Sequence, residues 1–401
     1  MKILLVNKYL HPKGGAETYV FSLGEGLKNQ GHEVEYFGMD HEKRCVGNSC
    51  NSYLPYIDFQ KCNFLQKIKY LFNVIYSFEA RRKLRKVLDD FKPDVIHLNN
   101  FTYHLTPSII IETIKWRKEN NCNCKIIFTA HDSNLICPNH LLYISRYKKR
   151  CKSCFGGKFY HCAKARCIHD SFLKSAIGTI EAYFWNFKNV YDNINSIICC
   201  SNFMKEVYDS NPHLSDKTVV LHNFICEKSN LSNSLVKKDY VLYFGRFSEE
   251  KGINTLVKVC KTLPNINFVF AGSGPLEELI SSCNNIQNVG FKTGIELIKL
   301  IREAKFSILP SEWYENCPFS VIESIDNGTP VIASRIGGIP ELIKENFNGE
   351  LFEPGNVTEL REKILNLYCQ DALLKEYTKN TYKTKFLSIN QYISNLIKYY
   401  S

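Results

Sequence analysis

The sequence predicts an α/β protein of two parallel-sheet domains, and three observations carry that expectation. The chain has 401 residues, room for two domains of about 200 residues with a core each. Short apolar runs of strand length alternate with helical patterns, the order that produces parallel sheets. The alternation comes in two series, separated by the Ser-, Asn- and Lys-rich stretch Glu227 to Asp239. A hydrophobic content of 44% with 13% aromatics excludes a disordered chain.

The first series opens with the strand Lys2 to Asn7, a turn containing Gly14-Gly15, and a helical pattern from Thr18 to Asn29 that stops at Gly31. Val34 to Gly38, Val95 to Leu98 and Lys125 to Thr129 follow as strands. Ser196 to Cys200 is another, and Ser201-Asn202 after it caps a helix. Val219 to Phe224 closes this half. In the second series the strands are Tyr240 to Phe244, Asn267 to Ala271, Phe306 to Leu309 and Pro330 to Ala333. Helical segments at Ile253 to Leu263, Pro275 to Cys283 and Val321 to Asp326 lie between them, and a last helix spans about Ile389 to Tyr399. The expected boundaries are 1–224, 225–385 and 386–401. No internal repeat is visible. The first strand is too short for the apolar core of a signal peptide, and no run of about 20 apolar residues is present. A cytoplasmic location is expected, so the 17 cysteines are read as thiols or metal ligands rather than a disulfide framework.

The net charge of +11 is concentrated in the first half. Ser133 to His169 holds eight basic residues and no acid, and Lys61 to Lys92 holds nine against three acids. Phosphate-rich partners are implied: a membrane surface, a lipid diphosphate or nucleic acid. Phe64 to Val87 places Leu65, Ile68, Phe72 and Ile75 on one helical face, with Arg81, Arg82, Lys83, Arg85 and Lys86 beyond it. That is the layout of an interfacial helix at the inner face of the plasma membrane, and equally of a core-facing surface helix.

Chemistry is signalled in the last third. Glu315 and Glu323 lie eight residues apart in Glu-Asn-Cys-Pro-Phe-Ser-Val-Ile-Glu, with Glu323 expected in the first turn of a helix and Glu315 in the loop before it. Two acceptor-only carboxylates suit a polyol, and the backbone N–H groups of Phe319 and Ser320 at the helix start suit a phosphate. The same spacing also fits two solvated carboxylates.

This stretch resembles the Glu-x7-Glu signature of the family 4 retaining glycosyltransferases. Four further motifs join it in chain order: Gly14-Gly15-Ala16-Glu17, Thr129-Ala130-His131-Asp132, Phe244 to Gly252, and Ala271-Gly272-Ser273-Gly274-Pro275. The resemblance spans nearly the whole chain. It implies the GT-B fold, two Rossmann-like domains facing a central cleft, with the last helix crossing back to the first domain. It implies a nucleotide-sugar donor whose diphosphate is held by Arg246 and Lys251, and a loop at Gly14 and Gly15 that contacts the leaving phosphate. His131 would sit beside the donor sugar, with His97 behind it; Glu315 would bind the sugar and Glu323 the ribose. Gly272 and Gly274 would lie near the nucleotide, and backbone around Phe291 near the base. Trp313-Tyr314 and Asn316-Cys317-Pro318 depart from the commoner Glu-Gly-Phe-Gly form, which moves the phosphate-contacting backbone toward Phe319. No Asp-x-Asp pair stands at a strand end, consistent with transfer that requires no metal cofactor.

The activity implied is retaining transfer to a lipid-linked acceptor, such as a polyprenyl diphosphate, or to a growing glycan in capsule, O-antigen or exopolysaccharide synthesis. A sucrose- or trehalose-type synthase with a soluble acceptor is one rival. A zinc-containing nucleic-acid-binding protein is another, and it leaves the five motifs unexplained. In the transferase reading too, a structural zinc that orders the insertion spanning about 137–169 would come from Cys151, Cys154, Cys162 and Cys167, where Cys151-x2-Cys154 has knuckle spacing. Scattered reduced thiols are the other reading.

Overall fold

The computed structural model describes residues 1–56, 73–225 and 236–401. In the first half, β1 (Lys2–Tyr9), β2 (Glu33–Met39), β3 (Val95–Leu98) and β4 (Lys125–Ala130) belong to one sheet. A small antiparallel hairpin, β5 (Tyr143–Ile144) with β6 (Lys149–Arg150), stands in the basic insertion. The strands β7 (Ser196–Cys199) and β8 (Thr218–Val220) then complete a six-stranded sheet of order β2-β1-β3-β4-β7-β8, parallel throughout. Ile3 to Val6 are fully buried, as the uninterrupted apolar run of a strand covered on both faces requires.

The second half opens with β9 (Phe224–Ile225). Its sheet contains β10 (Val241–Phe244), β11 (Phe268–Ala271), β12 (Ile286–Gly290), β13 (Phe306–Leu309), β14 (Val331–Ser334) and β15 (Gly349–Phe352). The order is β12-β11-β10-β13-β14-β15, again all parallel. β16 (Leu387–Ser388) pairs with β9.

The chain divides into two compact units, residues 1–222 with 389–401, and residues 223–388. The division falls two residues before 224, and residues 386–388 go with the second unit, because the β9–β16 pairing ties both segments there. The last helix, Ile389–Tyr400, packs on the helix Gly15–Asn29 within the first unit. A Cβ at Gly26 would lie 2.7 Å from both Ile389 and Ile393, so the close approach of these helices depends on that glycine.

Strands β12 and β15 lay outside the expected set. Edge strand β12 exposes Gln287 and Asn288, and β15 opens with Gly349-Glu350, so neither has an apolar signature. Glu350 is buried but satisfied by Lys363 at 2.7 Å and by the Tyr377 hydroxyl.

The expected helix from Phe64 to Val87 is corrected where it is described; Leu65, Ile68, Phe72, Lys67 and Lys69 lie outside the described residues. Ser77 is extended (φ −106°, ψ 100°) and its hydroxyl caps a new helix, Phe78–Phe91, by accepting from the Ala80 N–H. That helix buries Ala80, Leu84, Val87, Leu88 and Phe91. Arg81 pairs with Glu112 at 2.7 Å, and Arg85 with Asp89 at 2.9 Å and Glu119 at 2.5 Å. Two of the five basic residues of the cluster are therefore engaged within the protein.

Candidate functional site

The order in which the chain adds strands to the second sheet reverses between β10 and β13. The chain runs outward from β10 through β11 and β12, then returns to place β13 on the other side of β10. In open α/β sheets, ligands bind at the carboxyl ends of the strands flanking such a reversal. Lys251 follows β10 in the short turn Glu249–Lys251, and Glu315 follows β13. Lys251 Nζ lies 2.6 Å from Glu315 Oε1, joining the two strand ends by an ion pair. The same oxygen accepts from the Ser311 hydroxyl at 2.6 Å and the Trp313 indole at 3.1 Å. Burial alone would raise the Glu315 pKa, but Lys251, Ser311 and Trp313 outweigh it and hold the carboxyl below its ordinary value. Lys251 also lies over the Trp313 ring, 5.3 Å from its centroid. Ser311 and Trp313 were absent from the expected residues; only the fold shows that they serve Glu315.

Glycines bring these loops together. A Cβ on Gly252 would fall 1.8 Å from the Pro310 carbonyl, and its φ of +74° is left-handed. A Cβ on Gly272 would fall 1.9 Å from the Gly245 carbonyl, and one on Gly274 2.4 Å from that of Phe247. The Gly272–Gly274 turn thus rests on the loop carrying Arg246. Arg246 is exposed and makes no ion pair among the described residues. Phe291 follows the edge strand and is 73% exposed.

The helix Phe319–Asp326 begins two residues before the expected Val321, with Pro318 at its N-cap. Glu323 therefore lies in its second turn rather than its first. Phe319 and Ser320 occupy its first two positions, where N–H groups have no partner within the helix. Burial pushes the Glu323 carboxyl up to about 7. Asn223, also unanticipated, braces the preceding loop: its side-chain amide donates to the Cys317 carbonyl at 2.7 Å.

In the first unit, Gly14 is exposed and serves as N-cap of the helix that starts at Gly15. Glu17 of the same motif is buried and accepts from Asn7 at 3.0 Å, which makes it a brace beneath the loop. His131 follows β4, lies 2.9 Å from Asn99 Oδ1 and meets the Tyr19 ring edge-on at 4.7 Å. Burial lowers its pKa to about 3, so the ring is neutral near pH 7. His97 bridges Tyr400 of the last helix (2.6 Å) and Thr129 (2.7 Å), while Tyr19 reaches Tyr392 at 2.7 Å. His97 thus fastens the C-terminal helix beneath β3 and β4.

The expected zinc ligands Cys151, Cys154, Cys162 and Cys167 come together with a fifth thiol, Cys137. Among the described residues no three His, Cys, Asp or Glu side chains form a metal-binding group. The thiols gather in one cluster: Cys137 bonds with Cys154 and Cys162 with Cys167, while Cys154 also interacts with Cys151 and Cys167, and Cys162 with Cys137 and Cys154. The helix Tyr160–Ala165 ends with Arg166 left-handed and the Cys167 N–H bonded to the Cys162 carbonyl, which turns Cys167 back on Cys162. Cys137, from outside the quartet, takes the place beside Cys154, while the Cys151 sulfur accepts from the Ser153 N–H at 3.4 Å. Within the first pair, the hydrogen bond from Cys154 lowers Cys137 to about 7 and raises Cys154. Cys137, Cys151, Cys154 and Cys167 help line a cavity of about 260 Å³.

A parallel sheet of this order, with a Lys–Glu pair at its reversal point, is the layout of a ligand site in an open α/β sheet, and two such parallel-sheet units, with the structural likenesses below, make the fold GT-B. Residues 13–228 match the model of Glycosyltransferase Family 4, and residues 227–384 that of Glycosyl transferases group 1. The chain belongs to glycosyltransferase family 4. It is similar to an uncharacterised 42.6 kDa protein in the cps region of Klebsiella pneumoniae, 24% identical over 94% of this chain and 100% of that one. Its fold is similar to sucrose-phosphate synthase from Thermosynechococcus elongatus (TM-score 0.68, 18% identity, 99% of this chain and 98% of that one). It is also similar to Anabaena HepE in complex with UDP-glucose (TM-score 0.65, 16% identity, 99% of both chains).

Proposed function

We propose that this glycosyltransferase is a retaining enzyme that moves a hexose from a nucleoside-diphosphate sugar to a lipid-linked or growing glycan acceptor of a surface polysaccharide. The observation that carries the reading is the Lys251–Glu315 pair at the β10/β13 reversal, beside the N-terminus of Phe319–Asp326. Arg246 and Lys251 are the fixed cations that stabilise charge developing on the departing diphosphate, and the Phe319 and Ser320 N–H groups add neutral donors. Glu315, kept ionised by Lys251, accepts from sugar hydroxyls, and Glu323 accepts from the ribose. Gly14 and Gly15 present backbone to the phosphate, Gly272, Gly274 and Phe291 serve the nucleotide, and neutral His131 offers a hydrogen bond to the sugar. In front-face transfer the acceptor hydroxyl attacks on the side from which the diphosphate leaves, so that the departing phosphate oxygen takes the hydroxyl proton.

The relative in a cps region and the basic first half of the chain support a glycan acceptor at an anionic inner membrane surface. Likeness to a sucrose-phosphate synthase favours a second reading, a soluble sugar acceptor. Incubation with UDP-, GDP- and ADP-sugars, with polyprenyl-diphosphate-linked and free sugar acceptors in parallel, separates the two. Product only on the lipid-linked or glycan acceptor is expected, and product only on a free sugar or sugar phosphate overturns the reading.

A further inference from the structure

The helix Phe172–Phe187 has two unlike environments and almost no polar surface. Its inner face buries Ser175, Gly178, Thr179, Glu181, Ala182 and Trp185, with the Trp185 indole donating to the Ile75 carbonyl at 3.0 Å. Its outer face carries Leu173, Ile177, Ile180, Phe184 and Phe187, at the i, i+4, i+7 spacing of a single stripe. Leu173 is 61% exposed, Ile180 55% and Phe187 85%, with Phe172 (61%) and Tyr183 (41%) along the margin. No charged residue interrupts this face. Among the described residues, seven of the fourteen exposed large hydrophobic side chains fall between Tyr147 and Phe187, so the patch is a concentration rather than a scatter.

Cations border the patch. The helix Tyr160–Ala165 packs against Phe172–Phe187, and the Tyr160 N–H reaches the Tyr183 hydroxyl at 3.4 Å, which sets the basic insertion beside the stripe. Lys149, Arg150, Lys158, Lys164 and Arg166 are exposed there, and Lys174 and Lys188 are exposed near the helix ends. Of the acids in this region, Asp170 pairs with Arg146 at 3.4 Å and Glu181 is buried on the inner face. An apolar face rimmed by cations complements a bilayer with anionic headgroups, whereas a second copy docked on this face would bring like charges together.

We propose that the helix Phe172–Phe187, with the basic insertion beside it, is the face by which this protein lies on an anionic bilayer. This deepens the membrane reading above and rests on it, but vesicle binding is measured without sugar transfer, so the two fail separately. In a sedimentation assay the full chain is expected to pellet with phosphatidylcholine–phosphatidylglycerol vesicles at low salt and to stay in solution with phosphatidylcholine alone. The double variant Ile180→Asp, Phe187→Asp is expected to lose at least about tenfold in bound fraction, because both side chains already face water in the free protein and the charge opposes insertion. A second variant, Lys149→Gln, Arg150→Gln, Lys164→Gln, Arg166→Gln, is expected to lose the preference for anionic vesicles with no change in melting temperature. Donor hydrolysis in both is expected to match the parent. Failure of the parent to pellet while it hydrolyses donor overturns the proposal and leaves the transferase reading standing. Parent-like pelleting of both variants overturns it as well, as does a dimer in size-exclusion chromatography that the Asp variant dissolves.

Discussion

Arg246 and Lys251 differ in a way that makes their substitutions informative together. Arg246 is exposed without an ion-pair partner among the described residues, so Arg246→Ala is expected to lower turnover by at least about 100-fold, the usual loss for one preorganised charge-stabilising group. Its melting temperature should not move. Lys251→Ala is expected to lose as much turnover and also about 3 kcal/mol of stability, since it strands the buried Glu315 carboxylate. Steady-state kinetics with thermal melts checks both, and unchanged turnover in the pair removes the diphosphate assignment. The two carboxylates respond oppositely to pH. The folded pKa of Glu315 lies below the ordinary 4.5, so its contribution to stability is present above 4.5 and is lost as pH falls through the folded value. The folded pKa of Glu323 is raised to about 7, so its contribution is full below 4.5 and is lost as pH rises through about 7. Protonation removes an acceptor, so KM for the donor is expected to rise as pH falls below about 7. Glu323→Gln should flatten that profile, and a KM independent of pH in the parent contradicts a ribose role.

At the scale of elements, the loops after β10, β11 and β13 are held by backbone contacts that admit no side chain. Gly252→Ala puts a methyl 1.8 Å from the Pro310 carbonyl at a left-handed φ, and is expected to cost about 1–3 kcal/mol and to lower activity with it. A melt within error of the parent contradicts this. The cysteine-rich insertion is held differently, by a cluster of thiols and by apolar packing of Cys154, Phe159, Cys162 and Ala182. Metal analysis of freshly purified protein tests the zinc expectation: about one zinc per chain supports a site, and none, with the thiols freely alkylated in the native protein, contradicts it. These elements also show where sequence reading reached its limit. Apolar alternation located β1, β3, β4, β10, β11 and β13, because strands buried on both faces carry an uninterrupted signal. β12 and β15 carry none. The cysteine spacing named the insertion but not the part of Cys137, since spacing cannot report that the chain turns at Arg166 or that Cys137 reaches Cys154.

For the whole molecule, five separated motifs made the family legible, and the carboxyl ends of parallel strands explain why. Motifs that follow β1, β4, β10, β11 and β13 are distant in sequence but belong to the strand ends where this class binds ligands. What sequence did not reveal is the support beneath them: Asn7 under Glu17, Ser311 and Trp313 on Glu315, Asn223 on the Cys317 loop, and the Tyr19, His97, Thr129, Tyr392 and Tyr400 network under the last helix. Such partners have no local pattern because they meet only in the folded chain. Nor did charge alone single out the proposed bilayer face, for Arg81 and Arg85 are engaged with carboxylates while the exposed apolar stripe lies on Phe172–Phe187. The central claim is retaining transfer at a donor site where Arg246 and Lys251 hold the diphosphate and Glu315 the sugar. The most direct measurement is proton NMR of the anomeric configuration in the product made from an α-linked nucleotide sugar, with and without EDTA. The account predicts an α-linked product in both conditions; a β-linked product, or transfer abolished by EDTA, contradicts it.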